Sequence, residues 1–203
     1  MMAMKFPFKL PFLQKEEFRE DKPRSGLLSK LYLTQKQRLQ LLKWALYALV
    51  LVVLSVVQDV LLSRFSIFGT TTELVPCGIF LIVVAEGMET GSVFSLIAAC
   101  CYLFSGSAAG NYTIVIITLL SIGAAFFRQS YLRKGFGASM LCVALATVLY
   151  QLSVFFIAVF LDLTAFSRIT AHLMSAAMTL VSAPILYPIV GGIYSIGGDA
   201  WKE

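Results

Sequence analysis

The stretch WALYALVLVVLSVVQDVLL, residues 44–62, decides the fold class of this chain. It contains no charged residue before Asp59, and its length is close to the roughly 20 apolar residues that a helix needs to cross the hydrocarbon core of a bilayer. The run begins far from the N-terminus, whereas a secretory signal places a shorter apolar segment directly behind a few basic residues. We therefore expect residues 44–62 to form a first transmembrane helix that is retained.

The composition extends this prediction to the whole chain. Hydrophobic residues make up 59% of the sequence and charged residues 13%, against about 25% charged in soluble domains, and the mean hydropathy is +0.84. Five further apolar runs follow the first one. We expect an all-α integral membrane protein with six transmembrane helices. The five later runs are residues 73–85, 91–104, 111–127, 137–161 and 169–194.

The second and third runs are short for membrane spans, and two interpretations of them stay open. Between them lies Glu86-Gly87-Met88-Glu89-Thr90-Gly91, which we interpret as a tight polar hinge. Two full spans are favoured, because neighbouring Thr, Ser and Gly residues can lengthen each run. The alternative is a re-entrant hairpin within residues 73–104, which would need to bury a non-helical tip inside protein.

The basic residues predict the orientation in the membrane. Ten of the sixteen Lys and Arg residues lie in the first 43 positions. With six spans and a cytoplasmic N-terminus, only Arg64 and Arg168 fall on the outer side, and this asymmetry is the one that orients membrane proteins. We expect residues 1–43 to be a basic cytoplasmic tail, 44–196 a six-helix membrane domain, and 197–203 a short cytoplasmic tail. Residues 26–43 are expected to form an interfacial helix or, alternatively, a solvated helical linker.

Polar side chains within the predicted spans are few. Gln58 and Gln151 are the strongly polar residues well inside a span, and each is expected to hydrogen-bond a neighbouring helix, with substrate contact as the alternative. Asp59 and Arg64 are five residues apart and are expected to form a local ion pair, with partner docking as the alternative. The other ionisable residues, Glu73 among them, are expected near span ends, where burying a charge costs less.

Small residues and prolines indicate how the helices pack. Gly87 with Gly91, and Gly106 with Gly110, follow the small-xxx-small spacing that lets helix backbones approach closely or receive a partner helix. The same spacing occurs at Ser95 and Ala99. In the sixth run, Pro184 and Pro188 each remove a backbone donor, so we expect a kink there.

No pattern in the sequence predicts an enzyme or a cofactor. The chain has a single His and no Cys-x-x-Cys pair, so neither a zinc site nor a catalytic triad is expected. No glycine-rich phosphate loop precedes a helix. The net charge of +5 is concentrated in the tail, where it suits anionic lipid headgroups rather than nucleic acid.

Several local patterns together resemble the family of rod shape-determining protein MreD. The similarity covers about residues 45–196, and no single pattern in it is unique. The stretches that carry it are Val57-Gln58-Asp59, Phe68-Gly69, Glu73-Leu74-Val75-Pro76, the hinge from Glu86 to Gly91, Ser105-Gly106-Ser107-Ala108-Ala109-Gly110, and Ala183-Pro184-Ile185-Leu186-Tyr187-Pro188. The chain departs from the family pattern at Tyr102, where an Asp is usual, and at Ser95 and Ala99, where glycines are common. Its N-terminal tail is also long for the family.

The resemblance implies a non-enzymatic scaffold in the bacterial cytoplasmic membrane. Its partners would be membrane lipid, a single-span MreC-like protein, the MreB filament, and RodA with its penicillin-binding transpeptidase, and its role would be to support cell-wall growth in rod-shaped cells. The same family resembles in fold the substrate-binding subunits of energy-coupling-factor vitamin transporters. Such a subunit is the alternative function, and its polar cavity would be supplied by Tyr150, Gln151, Asn111 and Tyr112.

Overall fold

A computed structural model describes residues 35–61, 72–131 and 135–197, and these residues are overwhelmingly helical. They belong to one compact unit that begins at Gln35. The six α-helices in these ranges are α1 (Gln35–Val56), α2 (Leu74–Glu86), α3 (Met88–Phe104), α4 (Tyr112–Tyr131), α5 (Phe136–Phe160) and α6 (Ile169–Tyr194). A π-helical turn, Val57–Leu61, extends α1, and 3₁₀ turns flank α6 at Phe166–Arg168 and Ser195–Gly197.

Four of these helices are long and apolar enough to cross a membrane. They are α1 with its π-helical turn, α4, α5, and α6 with the 3₁₀ turn before it. Large apolar side chains on their outer faces are more than half exposed, which suits lipid rather than water as the surrounding medium. Examples are Leu49, Val52, Leu119 and Val181, at 59%, 62%, 68% and 69% exposure. The described chain is thus an all-α protein of the multi-pass membrane type.

The first helix is longer at its N-terminus than the apolar run predicts. α1 begins at Gln35 and continues without interruption through Lys43 into the apolar segment. Residues 35–43 are therefore the first turns of the same helix that forms the predicted span. The rest of the predicted interfacial segment, residues 26–34, lies outside the described residues.

The second helix is the centre of the bundle. Every residue from Leu74 to Val84 is buried, and α2 packs against α1, α3, α4, α5 and α6. A helix that is apolar on all sides is stable only where its whole circumference is covered. At 13 residues, α2 is about 20 Å long at 1.5 Å per residue, which is shorter than the roughly 30 Å hydrocarbon core.

The predicted six-residue hinge is wrong in its length. α2 ends at Glu86 and α3 begins at Met88, so Gly87 alone separates the two helices. Gly87 has φ +95°, a conformation that a residue without a Cβ adopts at little cost. The polar residues Glu89 and Thr90 belong to the first turn of α3, because a single left-handed glycine is enough to reverse the chain.

Candidate functional site

A largely buried ion pair joins α1 to α2 at the end of the bundle where α1 begins, called here the Lys43 end. Lys43 Nζ lies 2.7 Å from a carboxylate oxygen of Glu86, and the two side chains are only 12% and 8% exposed. The Tyr47 hydroxyl donates to Glu86 Oε1 at 2.5 Å. Lys43 Nζ also lies 4.8 Å from the centre of the Tyr194 ring on α6. One basic side chain therefore connects three helices.

A hydrogen-bond network occupies the opposite end of the bundle, called here the Gln58 end. Gln58 accepts a hydrogen bond from the Val75 backbone N–H at 3.1 Å and donates to the Tyr102 hydroxyl at 3.4 Å. Ser107 donates to Asp59 at 2.6 Å, and its carbonyl accepts from Tyr102 at 3.3 Å. Gln58 is buried and Asp59 exposed, so the network connects the bundle interior to its surface.

Next to this network lies a group of polar side chains in the bundle interior, called here the central polar cluster. Its members are Glu73, Tyr102, Tyr150, Gln151 and Thr179. The Glu73 backbone N–H donates to Thr179 Oγ1 at 3.2 Å, and Glu73 interacts electrostatically with Tyr102, Tyr150 and Gln151. These residues come from α3, α5, α6 and the residue that precedes α2. The cluster is therefore a meeting point of four segments.

The central polar cluster lies deep along the long helices. Tyr150 is ten residues from the last residue of α5, and Thr179 is ten residues from the first residue of α6, which corresponds to about 15 Å along each axis. Glu73 reaches this depth because α2 is short and begins inside the bundle. Glu73 directly precedes α2, as expected for a residue at the end of its run, but its neighbours belong to the middle turns of α5 and α6.

Hydrogen bonds within this region are long. Gln151 Nε2 lies 3.4 Å from Ser175 Oγ, and Gln151 Oε1 lies 3.4 Å from His172 Nδ1. Typical N–H···O distances are about 2.9 Å. The side chains of Glu73 and Tyr150 interact with one another, although Glu73 Oε2 and the Tyr150 hydroxyl make no hydrogen bond of ordinary length. The polar contacts of this cluster are therefore loose.

The two predicted amides both contact other helices. Gln58 reaches the start of α2 and Tyr102 of α3, and Gln151 of α5 reaches Ser175 and His172 of α6. Asp59 accepts from Ser107 in the connection between α3 and α4. Arg64, its predicted partner, lies outside the described residues. Whether either amide also meets a substrate stays a prediction.

The glycines differ in what they do. At Gly91, an added Cβ would lie 2.8 Å from Val83 Cγ1 and 3.1 Å from the Val83 backbone, so α3 approaches α2 closely there. Gly106 and Gly110 do not belong to any helix; both lie in the connection between α3 and α4. Gly106 has φ +78° and nothing within 4 Å of an added Cβ, so it serves the turn rather than helix packing.

Both prolines lie inside α6. The helix runs from Ile169 to Tyr194 through Pro184 and Pro188, and the predicted kink stays a prediction. The ring of Tyr187, between them, packs edge-on against Phe136 at the start of α5, with the ring centres 4.8 Å apart. The prolines therefore sit where α6 contacts the first turn of α5.

Of the four residues expected to line a polar cavity, Tyr150 and Gln151 are fully buried members of the central polar cluster. Tyr112 is half-buried and interacts electrostatically with Glu73, so it borders the cluster. Asn111 is exposed at the start of α4 and is not among these contacts.

The sequence predicted no interhelical contact for Lys43, Glu86, Glu73 or Tyr47. A topological signal for the ion pair exists, because Lys43 precedes the first apolar run and Glu86 ends the second. Consecutive antiparallel helices place these two positions at the same end of a bundle. No comparable signal exists for Glu73, since its surroundings depend on how deeply α2 starts.

Among the described residues, no three His, Cys, Asp or Glu side chains are grouped so as to hold a metal ion. Comparisons of the chain with protein-family models, with curated proteins and with solved structures find no match.

Proposed function

We propose that the chain crosses the membrane six times, with both termini in the cytoplasm of a bacterium and the Lys43 end facing that side. The concentration of ten of the sixteen basic residues in the first 43 positions supports this orientation. The hairpin of α2 and α3 supports the proposed number of six crossings. Its Gly87 tip adjoins Glu86, which pairs with Lys43 at the start of the apolar part of α1.

The contacts of α3 favour full spans over a re-entrant hairpin. Near its start, Phe94 packs against Trp44, with the ring centres 5.3 Å apart. Near its end, Tyr102 meets Gln58. The hairpin therefore runs along α1 from Trp44 to Gln58, which is most of the apolar length of that helix.

Labelling of introduced cysteines tests this topology. The four native cysteines are first replaced, and single cysteines are placed at Ser105, at the Gln58 end, and at Ser130, at the Lys43 end. An impermeant maleimide added to whole cells should label Ser105→Cys but should reach Ser130→Cys only after the cells are opened. Labelling of Ser130→Cys in intact cells would contradict the orientation.

We further propose that the protein is a non-enzymatic scaffold of the bacterial rod system that maintains cell shape. One observation carries this proposal beyond the resemblance itself. Three of the resembling stretches, 57–59, 73–76 and 105–110, are separated in sequence but meet at the Gln58 end. Gln58 binds Val75, and Asp59 binds Ser107. A shared functional surface is a direct reason for these stretches to occur together.

Depletion in the host tests this function. Loss of the protein should round rod-shaped cells and disperse lateral wall synthesis, and the protein should co-purify with a single-span MreC-like protein in mild detergent. A strain in which Ser107→Ala replaces the native protein should have partly rounded cells, and the variant should co-purify less of the MreC-like protein. Ser153→Ala, which removes a hydroxyl bonded only within its own helix α5, is the matched control. Normal rods after clean deletion would refute the proposal.

The central polar cluster favours a second candidate, the substrate-binding subunit of a small-molecule transporter. Buried polar side chains that converge from several helices are typical of ligand sites in membrane proteins. Here Tyr150, Gln151 and Glu73 provide such a set. Loss of uptake of one vitamin-type compound on deletion, with cell shape unchanged, would select this function over the scaffold.

A further inference from the structure

One arginine in the last turn of α4 differs from Lys43 in how its charge is compensated. Arg128 is half-buried, and its Nε atom is buried without a hydrogen-bond partner. In the part of the chain that the structure describes, the ion pair formed at this end of the bundle is that of Lys43 with Glu86, and Arg128 takes no part in it. Because a guanidinium keeps its proton in proteins, Arg128 carries a full positive charge at this position.

The sequence around Arg128 supplies no negative charge. There is no Asp or Glu between Glu89 and Asp162, so α4, α5 and the connection between them carry no carboxylate. The connection instead contains Arg133 and Lys134. The charge of this part of the chain is therefore positive, which favours an anion as the ligand and disfavours a cation.

Arg128 lies at the junction of α4 with α5. It is close enough to Cys142 of α5 to interact electrostatically, and Cys142 is 2% exposed. The next residue, Gln129, extends to the other side, since an added Cβ at Gly87 would lie 2.6 Å from Gln129 Nε2. The inner part of the Arg128 side chain is thus held near neighbouring helices, while the residue as a whole remains accessible.

Exposed aromatic side chains place Arg128 at the depth of lipid headgroups. Tyr131 ends α4 and Phe136 begins α5, and they are 72% and 53% exposed. Phe127 packs against Tyr131 with the ring centres 5.3 Å apart. Aromatic residues at the ends of spanning helices are typical of the boundary between hydrocarbon and headgroups. Arg128 precedes Tyr131 by three residues, which corresponds to about 4.5 Å along the helix axis.

We propose that Arg128 binds the phosphate group of an anionic phospholipid at the junction of α4 and α5. The planar guanidinium provides the opposite charge and paired N–H donors that fit two phosphate oxygens. The exposed rings of Tyr131 and Phe136 provide apolar surface for the lipid next to its headgroup, which a soluble anion would not use. In the proposed orientation the lipid belongs to the cytoplasmic leaflet. The site does not depend on whether the protein is a scaffold or a transporter subunit.

Thermal unfolding of the full chain in an uncharged detergent tests the proposal. Micelles that contain dioleoyl phosphatidylglycerol are compared with micelles that contain dioleoyl phosphatidylcholine, which has the same acyl chains and a phosphate but no net charge. A ligand that binds the folded state raises the unfolding midpoint with the logarithm of its concentration. The midpoint should rise and saturate with phosphatidylglycerol, should rise less with phosphatidylcholine, and the difference should shrink as NaCl is added.

Three variants locate the effect at Arg128. Arg128→Gln should weaken the apparent affinity for phosphatidylglycerol by about tenfold or more, as expected for loss of a charge-assisted contact. Arg168→Gln makes the same change at an exposed position before α6 and should respond like the native chain. Lys134→Gln removes a charge from the connection between α4 and α5 and should weaken binding by no more than a few-fold. An equal loss in Lys134→Gln and Arg128→Gln would show a general effect of positive charge and would overturn the site.

Two further measurements can overturn the proposal. Without phospholipid, Arg128→Gln should unfold at the midpoint of the native chain or above it, because it removes a charge without a paired anion. A lower midpoint would show that Arg128 is paired within the chain. Inorganic phosphate at equal ionic strength replaces the lipid in the second measurement. A rise with phosphate alone that matches the rise with phosphatidylglycerol and is absent in Arg128→Gln would overturn the assignment to a lipid.

Discussion

The Lys43–Glu86 pair provides the sharpest test of what holds α1 to the bundle. The charged atoms are 2.7 Å apart and the side chains are 12% and 8% exposed. Removing one partner of a fully buried pair costs about 3–5 kcal/mol, mostly because the other charge is left without compensation. For Lys43→Met we expect the free energy of unfolding to fall by about 3 kcal/mol, since among the described residues the Tyr47 hydroxyl is the hydrogen-bond partner that Glu86 keeps.

The two single substitutions should differ in size. Glu86→Gln leaves Lys43 beside the Tyr194 ring at 4.8 Å, and a cation–π contact of this kind is worth about 0.5–1 kcal/mol. The freed ammonium can also extend along its flexible stem toward lipid headgroups. We therefore expect Glu86→Gln to lower the free energy of unfolding by about 1–2 kcal/mol, which is less than the loss expected for Lys43→Met.

The double variant Lys43→Met with Glu86→Gln distinguishes an ion-pair effect from a packing effect. Replacing both charged side chains by uncharged ones removes the uncompensated charge, so the double variant should be more stable than the sum of the two single changes predicts, by about 2 kcal/mol. If the single effects simply add, the pair contributes no coupling energy, and the reasoning fails.

Buried cysteines provide the assay. Cys77 and Cys142 are 0% and 2% exposed, so once the more accessible Cys100 and Cys101 are replaced by Ser, a thiol-reactive fluorogenic dye reports unfolding in detergent. At about 2–4 °C per kcal/mol for a domain of this size, Lys43→Met should lower the midpoint by about 6–12 °C. A midpoint unchanged within measurement error would refute the prediction.

Three further predictions concern close approaches and hydrogen bonds, each measured as the unfolding midpoint in detergent. Gly91→Ala should cost about 1–3 kcal/mol by pressing α3 away from Val83, whereas Gly192→Ala, with nothing within 4 Å of its added Cβ, should be nearly neutral; equal effects would contradict the close contact. Gly106→Ala should cost about 1–2 kcal/mol because of its φ of +78°, and an unchanged midpoint would contradict the strain. Gln58→Leu should cost about 1–3 kcal/mol, since it leaves a buried backbone donor of α2 without a partner; a more stable variant would contradict this role.

The apolar runs predicted the long helices well. The sixth run, 169–194, coincides with α6, and the fifth run differs from α5 by one residue at each end. Length and hydropathy are sufficient here because each helix has to cover the same bilayer thickness. The second run, 73–85, also differs from α2 by one residue at each end, whereas the third run begins three residues later than α3, because α3 starts directly after Gly87.

The candidate site was predicted only in part. Gln58 and Gln151 stand out because an amide in an apolar run is rare. Glu73 does not, because it stands at the border of a run where a carboxylate is ordinary. Its depth follows from the length of α2 and from where α5 and α6 place Tyr150 and Thr179, and no local pattern contains that information.

The position of α2 explains why the polar groups occur where they do. A helix enclosed by five others cannot expose its terminal backbone groups to water, so other segments must satisfy them. Thr179 accepts from the N–H of Glu73 and Gln58 from that of Val75 at its start. At its end, Lys43 and Tyr47 compensate the side chain of Glu86.

A short central helix thus requires polar side chains on the inward faces of its longer neighbours. Thr179 of α6 supplies one at the start of α2, where it accepts from the backbone N–H of Glu73. Gln58, in the turn that extends α1, supplies another, because it accepts from the backbone N–H of Val75. The same feature that leaves α2 shorter than the bilayer core therefore places polar groups inside a bundle whose outer faces are apolar.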